Sequence, residues 1–262
     1  MHKNNDINIS IKANQKIYFA SDFHLGAPNK VKSLERERKI IAWLDSIQDN
    51  AAAIFLVGDL FDFWHEYKSV VPKGYIRFLG KLAELSDKGI PLFIFTGNHD
   101  MWMYGYFTEE LNIPVFRNPR TILANQKKIY VGHGDGLGPG DHLYKFLKKV
   151  FENKFCQWAF RQLHPDLGTR LANGWSSKSR ASSAKEETAG FLGEGEWLWS
   201  YAKQMEKEEH HDYYIFGHRH LPIEVGVGDN SKYINLGEWM NYCTYASFDG
   251  KEFALLEFKG AN

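Results

Sequence analysis

The chain has 262 residues, 44% of them hydrophobic, and a formal net charge of zero at pH 7. This size and composition suit a single α/β domain with an insertion, and the neutral charge gives no general preference for nucleic acid. No apolar run approaches the roughly 20 residues that span a bilayer, and residues 1–15 lack the apolar core of a signal peptide. The two cysteines, Cys156 and Cys243, lack a metal-type spacing and are expected to be buried thiols. These features predict a soluble cytoplasmic protein.

Predicted strands and helices alternate along the first part of the chain. Apolar runs at residues 17–20, 54–57 and 92–95 are typical of buried strands, whereas 31–48 and 75–88 repeat their apolar residues with a helical period. A short helix near 101–111 and paired strands between 115 and 131 are expected to follow. Alternation of this kind is characteristic of βαβ units and predicts a largely parallel sheet.

Strand signals disappear between residues 140 and 205. This segment has the pattern of several helices in which Phe, Trp and Leu are interleaved with basic residues. Strand patterns return after Tyr213, with turn signals at 228–230 and 249–250 that mark hairpins. We therefore predict one domain over residues 1–262, interrupted by a helical cap insertion at 140–205.

Five short polar clusters, most of them placed just after a predicted strand, carry the chemistry of the chain. They are Asp22-Phe23-His24, Gly58-Asp59, Gly97-Asn98-His99-Asp100, Gly132-His133-Gly134-Asp135 and Gly217-His218-Arg219-His220. Their Asp, Asn and His side chains are ligands for hard or borderline divalent cations, and strand ends are where α/β proteins place their sites. Alternate residues of a strand share one face, so an Asp-X-His or His-X-His pair can reach a common site. The clusters predict a metal centre along one rim of a sheet.

The order of these clusters resembles the calcineurin-like metallophosphoesterase superfamily, and the resemblance runs from Lys16 to about Phe258. It implies an α/β sandwich of two mixed sheets flanked by helices, with a centre of two divalent metal ions, most typically Mn²⁺. Such a pair of ions polarises a phosphoryl group and lowers the pKa of a water between them. By the resemblance, one ion would be held by Asp22, His24, Asp59 and His220. The other would be held by Asp59, Asn98, His133 and His218.

The resemblance also assigns roles to the residues that follow Asn98. His99 would contact phosphate or protonate the leaving oxygen, and Asp100 would orient the His99 imidazole. A histidine whose pKa is near neutrality suits the work of a general acid.

Finer features resemble the UDP-2,3-diacylglucosamine diphosphatases of that superfamily. The matching stretches are residues 21–26, 57–64, 132–135, 176–180 and 235–239, with Asp141 eight residues beyond His133. These enzymes cut the pyrophosphate of a diacylated sugar nucleotide and release UMP and lipid X during lipid A biosynthesis. The best-studied members carry Arg where this chain has His99, so another base would have to replace that contact. By the resemblance, the candidate substrate contacts are Asp141, Ser177, Lys178, Arg180 and Arg219.

The predicted cap concentrates positive charge in a chain that is neutral overall. Residues 144–185 contain nine Lys and Arg against Glu152 and Asp166, together with many apolar side chains at helical spacing. A basic, aromatic, amphipathic cap suits a lipid-linked sugar nucleotide and the anionic surface of the inner membrane, to which the protein would bind peripherally. Neither nucleic acid nor an obligate protein partner is expected.

Three alternatives remain open from the sequence. The cap aromatics could simply pack the cap onto the sheet. The substrate could belong to another class, because basic and aromatic residues also suit a nuclease and the superfamily includes other phosphodiesterases and phosphatases. The chain could also be a metal-binding scaffold without catalysis, although the complete set of ligands and the presence of His99 and Asp100 argue against it.

Overall fold

The computed structural model describes residues 6–139, 142–172, 174, 176 and 190–260. The strands of the described residues are, in chain order, β1 (Ile7–Ile9), β2 (Lys16–Ala20), β3 (Ala51–Val57), β4 (Leu92–Phe95), β5 (Val115–Phe116), β6 (Arg120–Ala124), β7 (Lys127–Val131), β8 (Tyr213–Phe216), β9 (Pro222–Val227), β10 (Ser231–Leu236), β11 (Thr244–Phe248) and β12 (Phe253–Glu257). The helices are α1 (Lys30–Ile47), α2 (Ile76–Asp87), α3 (Tyr106–Leu111), α4 (His142–Glu152), α5 (Lys154–Arg161), α6 (described at residues 165–172, 174 and 176) and α7 (Trp197–Glu208).

The strands form two sheets of six strands each. The first sheet has the order β1-β6-β7-β8-β10-β9 and the second the order β12-β11-β2-β3-β4-β5. Both are mixed: β2, β3, β4 and β5 run parallel, as do β7, β8 and β10, whereas β11 pairs antiparallel with both β2 and β12. The predicted sandwich of two mixed sheets flanked by helices is confirmed.

Apolar side chains fill the space between the sheets and cover both outer faces. Ile17, Phe19 and Phe55 of the second sheet share one buried cluster with Ile129 and Ile215 of the first. Helices α1 and α2 pack on the outside of the second sheet, and α7 packs on the outside of the first. Strands that are buried on both faces explain why the sequence shows continuous apolar runs here rather than strict alternation.

Several elements differ in extent from the prediction. The helix expected near 101–111 begins only at Tyr106, and β1 gave no strand signal. Helix α7 belongs to the last part of the predicted cap, yet Leu198 and Ala202 pack onto the first sheet against Tyr214 and Phe216. The helices that stand away from the sheets are therefore α4, α5 and α6. No helix within the described part of the chain is both long and apolar enough to cross a membrane.

The topology places the polar clusters at one edge of the sandwich. Strands β2, β3 and β4 run parallel in one sheet and β7 and β8 in the other, so within each sheet the carboxyl ends lie at the same edge. A polar cluster follows the end of each of these five strands. The fold therefore brings residues that are up to about two hundred positions apart in the chain into one site.

Candidate metal centre

Four buried side chains form the first of two adjoining groups. Asp22, His24, Asp59 and His220 offer ligand atoms that all lie within 4.8 Å of one another. Nε2 of His220 is 3.1 Å from Oδ1 of Asp22 and 3.0 Å from Nε2 of His24. Two strands of one sheet and one strand of the other supply these residues, so the group depends on the packing of the two sheets.

The second group shares Asp59 with the first. Asp59, His133 and His218 also offer ligand atoms within 4.8 Å of one another. Oδ1 of Asn98 is 3.3 Å from Nε2 of His133, whose Nδ1 lies 2.9 Å from the carbonyl oxygen of Val57. The structure thus brings together all seven side chains that the sequence predicted as ligands, in two groups that meet at Asp59.

The chemistry of the two groups fits a pair of divalent cations. Oδ2 of Asp59 and Nδ1 of His24 are buried and have no hydrogen-bond partner among the described residues. Burial holds the pKa of His24 well below its ordinary value, and burial together with the neighbouring His133 lowers that of His218 to about 4. Both imidazoles are therefore neutral at pH 7, which is the form that binds a metal. A set of carboxylate, amide and imidazole donors without thiolate suits borderline divalent ions.

The backbone at the candidate ligands is held in an uncommon conformation. Few non-glycine residues have a positive φ, and such residues cluster at functional sites because the surroundings must compensate the strain. Five candidate ligands lie in this left-handed region, with φ of 56°, 43°, 53°, 66° and 57° for Asp22, His24, Asp59, His218 and His220 respectively. Hydrogen bonds between the loops hold them: His24 donates its backbone N–H to the carbonyl of Asp59, at 2.9 Å.

Three glycines leave the space that the ligand side chains occupy. A Cβ at Gly97 would collide with the carboxylate and the backbone nitrogen of Asp59. A Cβ at Gly58 would meet the His133 ring, and one at Gly217 would meet the Asp22 carboxylate. Glycine at these three positions is thus explained by close approach between neighbouring strand ends.

His99 lies beside the first group, next to a carboxylate that sequence reasoning missed. Nδ1 of His99 is 2.9 Å from Oγ of Ser176 and 3.1 Å from the carbonyl oxygen of Asp62. Oδ1 of Asp62 lies 3.9 Å from Nδ1 of His99 and 3.8 Å from Nδ1 of His24. The available signal was the second carboxylate in Gly-Asp-Leu-Phe-Asp, three residues after Asp59.

Asp100 does not orient the imidazole of His99, and this expectation was wrong. Its Oδ2 accepts a hydrogen bond from the backbone N–H of Leu60, and its Oδ1 accepts one from that of Gly97, both at 2.7 Å. Asp100 therefore ties the loop after β4 to the loop after β3. Burial, followed by the negative charge of Asp59, raises the pKa of the Asp100 carboxyl to about 7.

Of the five predicted substrate contacts, Arg219 lies within the described residues. Asp141, Ser177, Lys178 and Arg180 lie outside the described residues. Arg219 is buried, and its Nε donates to Oε2 of Glu196 at 3.2 Å while Nη2 donates to the carbonyl of Gly190 at 2.8 Å. These contacts join the His218-Arg219-His220 loop to the start of α7, a structural role that the sequence did not suggest.

A cavity of about 550 Å³ opens beside the candidate metal centre. Its polar end includes Asp62, Asn98, His99 and Ser176. The rest of its wall is apolar and comes from the sheet loops and from the segment of helices α4 to α6, as Phe63, Met101, Trp102, Tyr144, Leu147, Val150, Phe151, Phe155, Cys156, Ala159, Phe160, Leu163, Leu171 and Ala172. Cys156 is thus partly exposed in this cavity, whereas Cys243 is buried as expected. The arrangement can hold a phosphoryl group at one end and a long apolar group at the other.

A family sequence profile and individual relatives both match this chain along most of its length. Residues 15–222 match the sequence profile of the calcineurin-like phosphoesterases. The UDP-2,3-diacylglucosamine hydrolase of Porphyromonas gingivalis is 39% identical over 252 residues, which cover 92% of this chain and 96% of that protein. The enzyme of the same name from Proteus mirabilis is 26% identical over 92% of this chain and 98% of its own. The crystal structure of a predicted phosphoesterase from Streptococcus pneumoniae superposes with a TM-score of 0.44 at 14% identity, covering 95% of this chain and 92% of that one.

The chain therefore belongs to the calcineurin-like phosphoesterase family. It has the domain of a metal-dependent hydrolase, with a cluster of Asp and His side chains that could bind metal ions.

Proposed function

We propose that the protein hydrolyses the pyrophosphate of UDP-2,3-diacylglucosamine to UMP and 2,3-diacylglucosamine 1-phosphate, known as lipid X, in lipid A biosynthesis. A water oxygen bonds to one phosphorus and the bridging P–O bond breaks, so that each product keeps one phosphate. The observation that carries the proposal is the apolar cavity that begins at Asn98 and His99 and continues into the cap. The likeness to the hydrolases of the same substrate supports it along almost the whole chain.

Seven side chains are proposed to hold two divalent ions, with Mn²⁺ as the preferred metal and Asp59 as the shared ligand. They are Asp22, His24, Asp59, Asn98, His133, His218 and His220. When bound, the ions supply positive charge to the phosphoryl oxygens and lower the pKa of the attacking water. The protein contributes rigid strand ends and, at His24 and His218, neutral imidazoles, which keep the donor atoms in place before the substrate arrives.

His99 is proposed to act on the phosphate oxygens at the mouth of the cavity. Its Nδ1 already has the Ser176 hydroxyl and the Asp62 carbonyl within 3.1 Å, so Nε2 is the ring nitrogen left for a substrate oxygen. From there a proton can be donated to the leaving oxygen, or a hydrogen bond to a non-bridging one. Asp62, whose Oδ1 lies 3.9 Å from Nδ1 of His99, is proposed to hold the same ring in place.

The acyl chains are proposed to lie in the apolar part of the cavity. Phe151 and Phe155 line it, whereas Trp158 does not. Each buried methylene group contributes about 0.8 kcal/mol, so two acyl chains account for much more binding free energy than an exposed ion pair would. Asp141, Ser177, Lys178 and Arg180 remain proposed contacts for the polar part of the substrate. The buried ion pair of Arg219 favours a structural role instead.

We also propose that helices α4 to α6, set within the single domain as a cap, bind the anionic inner membrane peripherally from the cytoplasmic side. The exposed apolar side chains of these helices support this, namely Phe146, Phe155, Trp158, Leu167 and Leu171. Lys145 and Lys154 of the same helices carry the charge that anionic lipid attracts.

The test is hydrolysis of UDP-2,3-diacylglucosamine by the Mn²⁺-loaded protein, with UMP and lipid X separated as products. Deacylated UDP-glucosamine is the matched substrate, because it carries the same pyrophosphate without the apolar chains. We expect kcat/KM to be much higher for the acylated substrate. Equal rates on both, or efficient cutting of single-stranded DNA added as a competitor, would replace the lipid assignment by a nuclease or a general phosphodiesterase.

A further inference from the structure

Helix α4 makes polar contacts with the loop that carries candidate ligand His133. Nζ of Lys148 lies 2.6 Å from Oδ2 of Asp135 and donates to the backbone carbonyl of the same residue at 3.1 Å. The hydroxyl of Tyr144 donates to Oδ2 of Asp135 at 2.7 Å. Asp135 follows His133 by two residues, so the contact point of the cap is also a neighbour of the candidate metal centre.

Asp135 is buried, which makes its partners important. Its residue exposure is 7%, and a carboxylate at that depth is costly unless it is paired and hydrogen-bonded. Tyr144, which donates to Asp135, has its ring 6.4 Å from the ring of candidate ligand His218. Asp135 thus lies between the cap and the loop that carries His133, a candidate ligand of the second metal group.

The adjoining face of α4 forms part of the apolar cavity. Leu147, Val150 and Phe151 line the cavity and recur at the helical spacing of one face, and Tyr144 borders it one turn earlier. Tyr144 and Lys148 are four residues apart and meet the same carboxylate. A helix is rigid over this length, so the contact with Asp135 sets the position of the cavity wall relative to the metal centre.

We propose that Lys148 is a positioning residue that holds the cap in register with the metal centre through Asp135, so that an acyl chain in the cavity places the pyrophosphate at the metal groups. This inference rests on the proposed function. Lys148 does not line the cavity and contacts none of the candidate ligands in the described contacts. Its effect is therefore specific for substrates that engage the cap.

The kinetic test compares Lys148→Met with Lys149→Met on acylated and deacylated UDP-glucosamine. Lys149 is the neighbouring lysine of the same helix and is exposed, so its variant controls for the loss of one positive charge from α4. We expect Lys148→Met to lower kcat on the acylated substrate about 10- to 100-fold, the size of effect caused by a small misplacement, with little change in KM. Activity on the deacylated substrate and the amount of bound metal should remain as in the wild type. Lys148→Arg, which keeps the charge, should restore much of the loss.

Other kinetic outcomes contradict the proposal. An equal loss on both substrates would mean that Lys148 binds phosphate directly, and an equal effect of Lys149→Met would mean that only net charge matters. A rise in KM without a change in kcat would indicate damage to the cavity itself.

Amide hydrogen exchange of α4 tests the same contact without any substrate. Exchange should be faster in Lys148→Met than in the wild type and unchanged in Lys149→Met. Unchanged exchange in Lys148→Met would overturn the positioning role. If the wild type proves inactive on the acylated substrate, the proposed function fails, whereas the exchange measurement still decides the role of Lys148.

Discussion

Oδ2 of Asp59 lies 3.3 Å from Nε2 of His133, and this buried oxygen has no hydrogen-bond partner among the described residues. The same oxygen is 3.8 Å from Nε2 of His24, which belongs to the other group. Burial would raise the pKa of Asp59, but the charge of His133 holds it well below its ordinary value. Burial likewise opposes the charge on His133, yet the Asp59 carboxylate raises its pKa to about 10. Without a metal, His133 therefore carries a proton beside the ionised Asp59, and a cation that binds His133 would displace this proton.

The first prediction follows from this shared position. Asp59→Asn removes the negative charge common to both groups, so we expect loss of turnover and a fall in bound metal from two ions per chain towards one or none. Metal analysis of the purified variant measures this directly. Asp87→Asn, at an exposed carboxylate at the end of α2, is the control and should retain both metal and activity. Full activity of Asp59→Asn would contradict the two-metal proposal.

The second prediction concerns the space beside Asp59. Gly97→Ala places a methyl group against the Asp59 carboxylate, so it should lower metal occupancy and reduce turnover by about 10²-fold. Gly80→Ala is the matched control, because a Cβ at Gly80 in α2 meets nothing within 4 Å. In the control, the better helix propensity of Ala should raise the free energy of unfolding by about 0.5–1 kcal/mol and leave activity unchanged. Normal metal binding by Gly97→Ala would show that the loop has room to adjust.

The candidate ligands could be predicted from the sequence because strand direction limits where they can lie. Each apolar run that precedes a motif is a strand, and parallel strands end at the same edge. The motif order also carries information from a known family. Local pattern therefore placed the five clusters at one edge, and the family resemblance selected the seven candidate ligands among their side chains.

The contacts of Asp62 and Asp100 could not be predicted, because they depend on how loops pack. Asp62 lies three residues after Asp59, and Asp100 lies three residues after Gly97. The sequence does not show which of the two carboxylates faces an imidazole. In the structure, Asp100 turns towards backbone N–H groups, and Asp62 lies near His99. Loop geometry decided this, since strand periodicity no longer constrains side-chain direction beyond the strand end.

The sequence pattern also could not show which of the helices after residue 140 pack onto a sheet. Helix α7 carries aromatic side chains, as α4 and α5 do, so aromatic content does not separate them. Tertiary packing decides that the apolar face of α7 meets the first sheet. Strand β1 gave no signal because three residues are too few to show a period.

The third prediction tests His99 and its neighbour. His99→Ala should leave metal content intact and reduce turnover roughly 10²–10⁴-fold, the usual range for an acid–base group. Asp62→Asn should have a smaller effect, and the two effects should not add in the double variant, because the side chains are 3.9 Å apart. Activity of His99→Arg would show that positive charge suffices without proton donation. Wild-type turnover of His99→Ala would assign the ring a structural role only.

The last prediction concerns a buried histidine beneath the cap. His65 lies among the rings of Tyr67, Trp102, Tyr104 and Phe160, and neither ring nitrogen has a hydrogen-bond partner in the described part of the chain. Burial, followed by the charge of Arg161, lowers the pKa of His65 from 6.5 to about 4. The unfolded chain therefore binds this proton at a higher pH than the folded chain does, so the free energy of unfolding falls as the pH drops from 6.5 towards 4.

Between pH 7 and pH 5, protonation of His65 lowers the free energy of unfolding by about 2 kcal/mol. His65→Phe keeps an aromatic ring among its neighbours and removes the titration, so the variant should lose less stability between pH 7 and pH 5 than the wild type by about that amount. Urea unfolding at the two pH values measures the difference, and the titration of the candidate ligands cancels because both proteins share it. His164→Phe, at an imidazole that is 75% exposed, should behave as the wild type does. If His65→Phe loses as much stability in acid as the wild type, His65 takes its proton in the folded protein without disturbing the contact between the cap and the sheet loops.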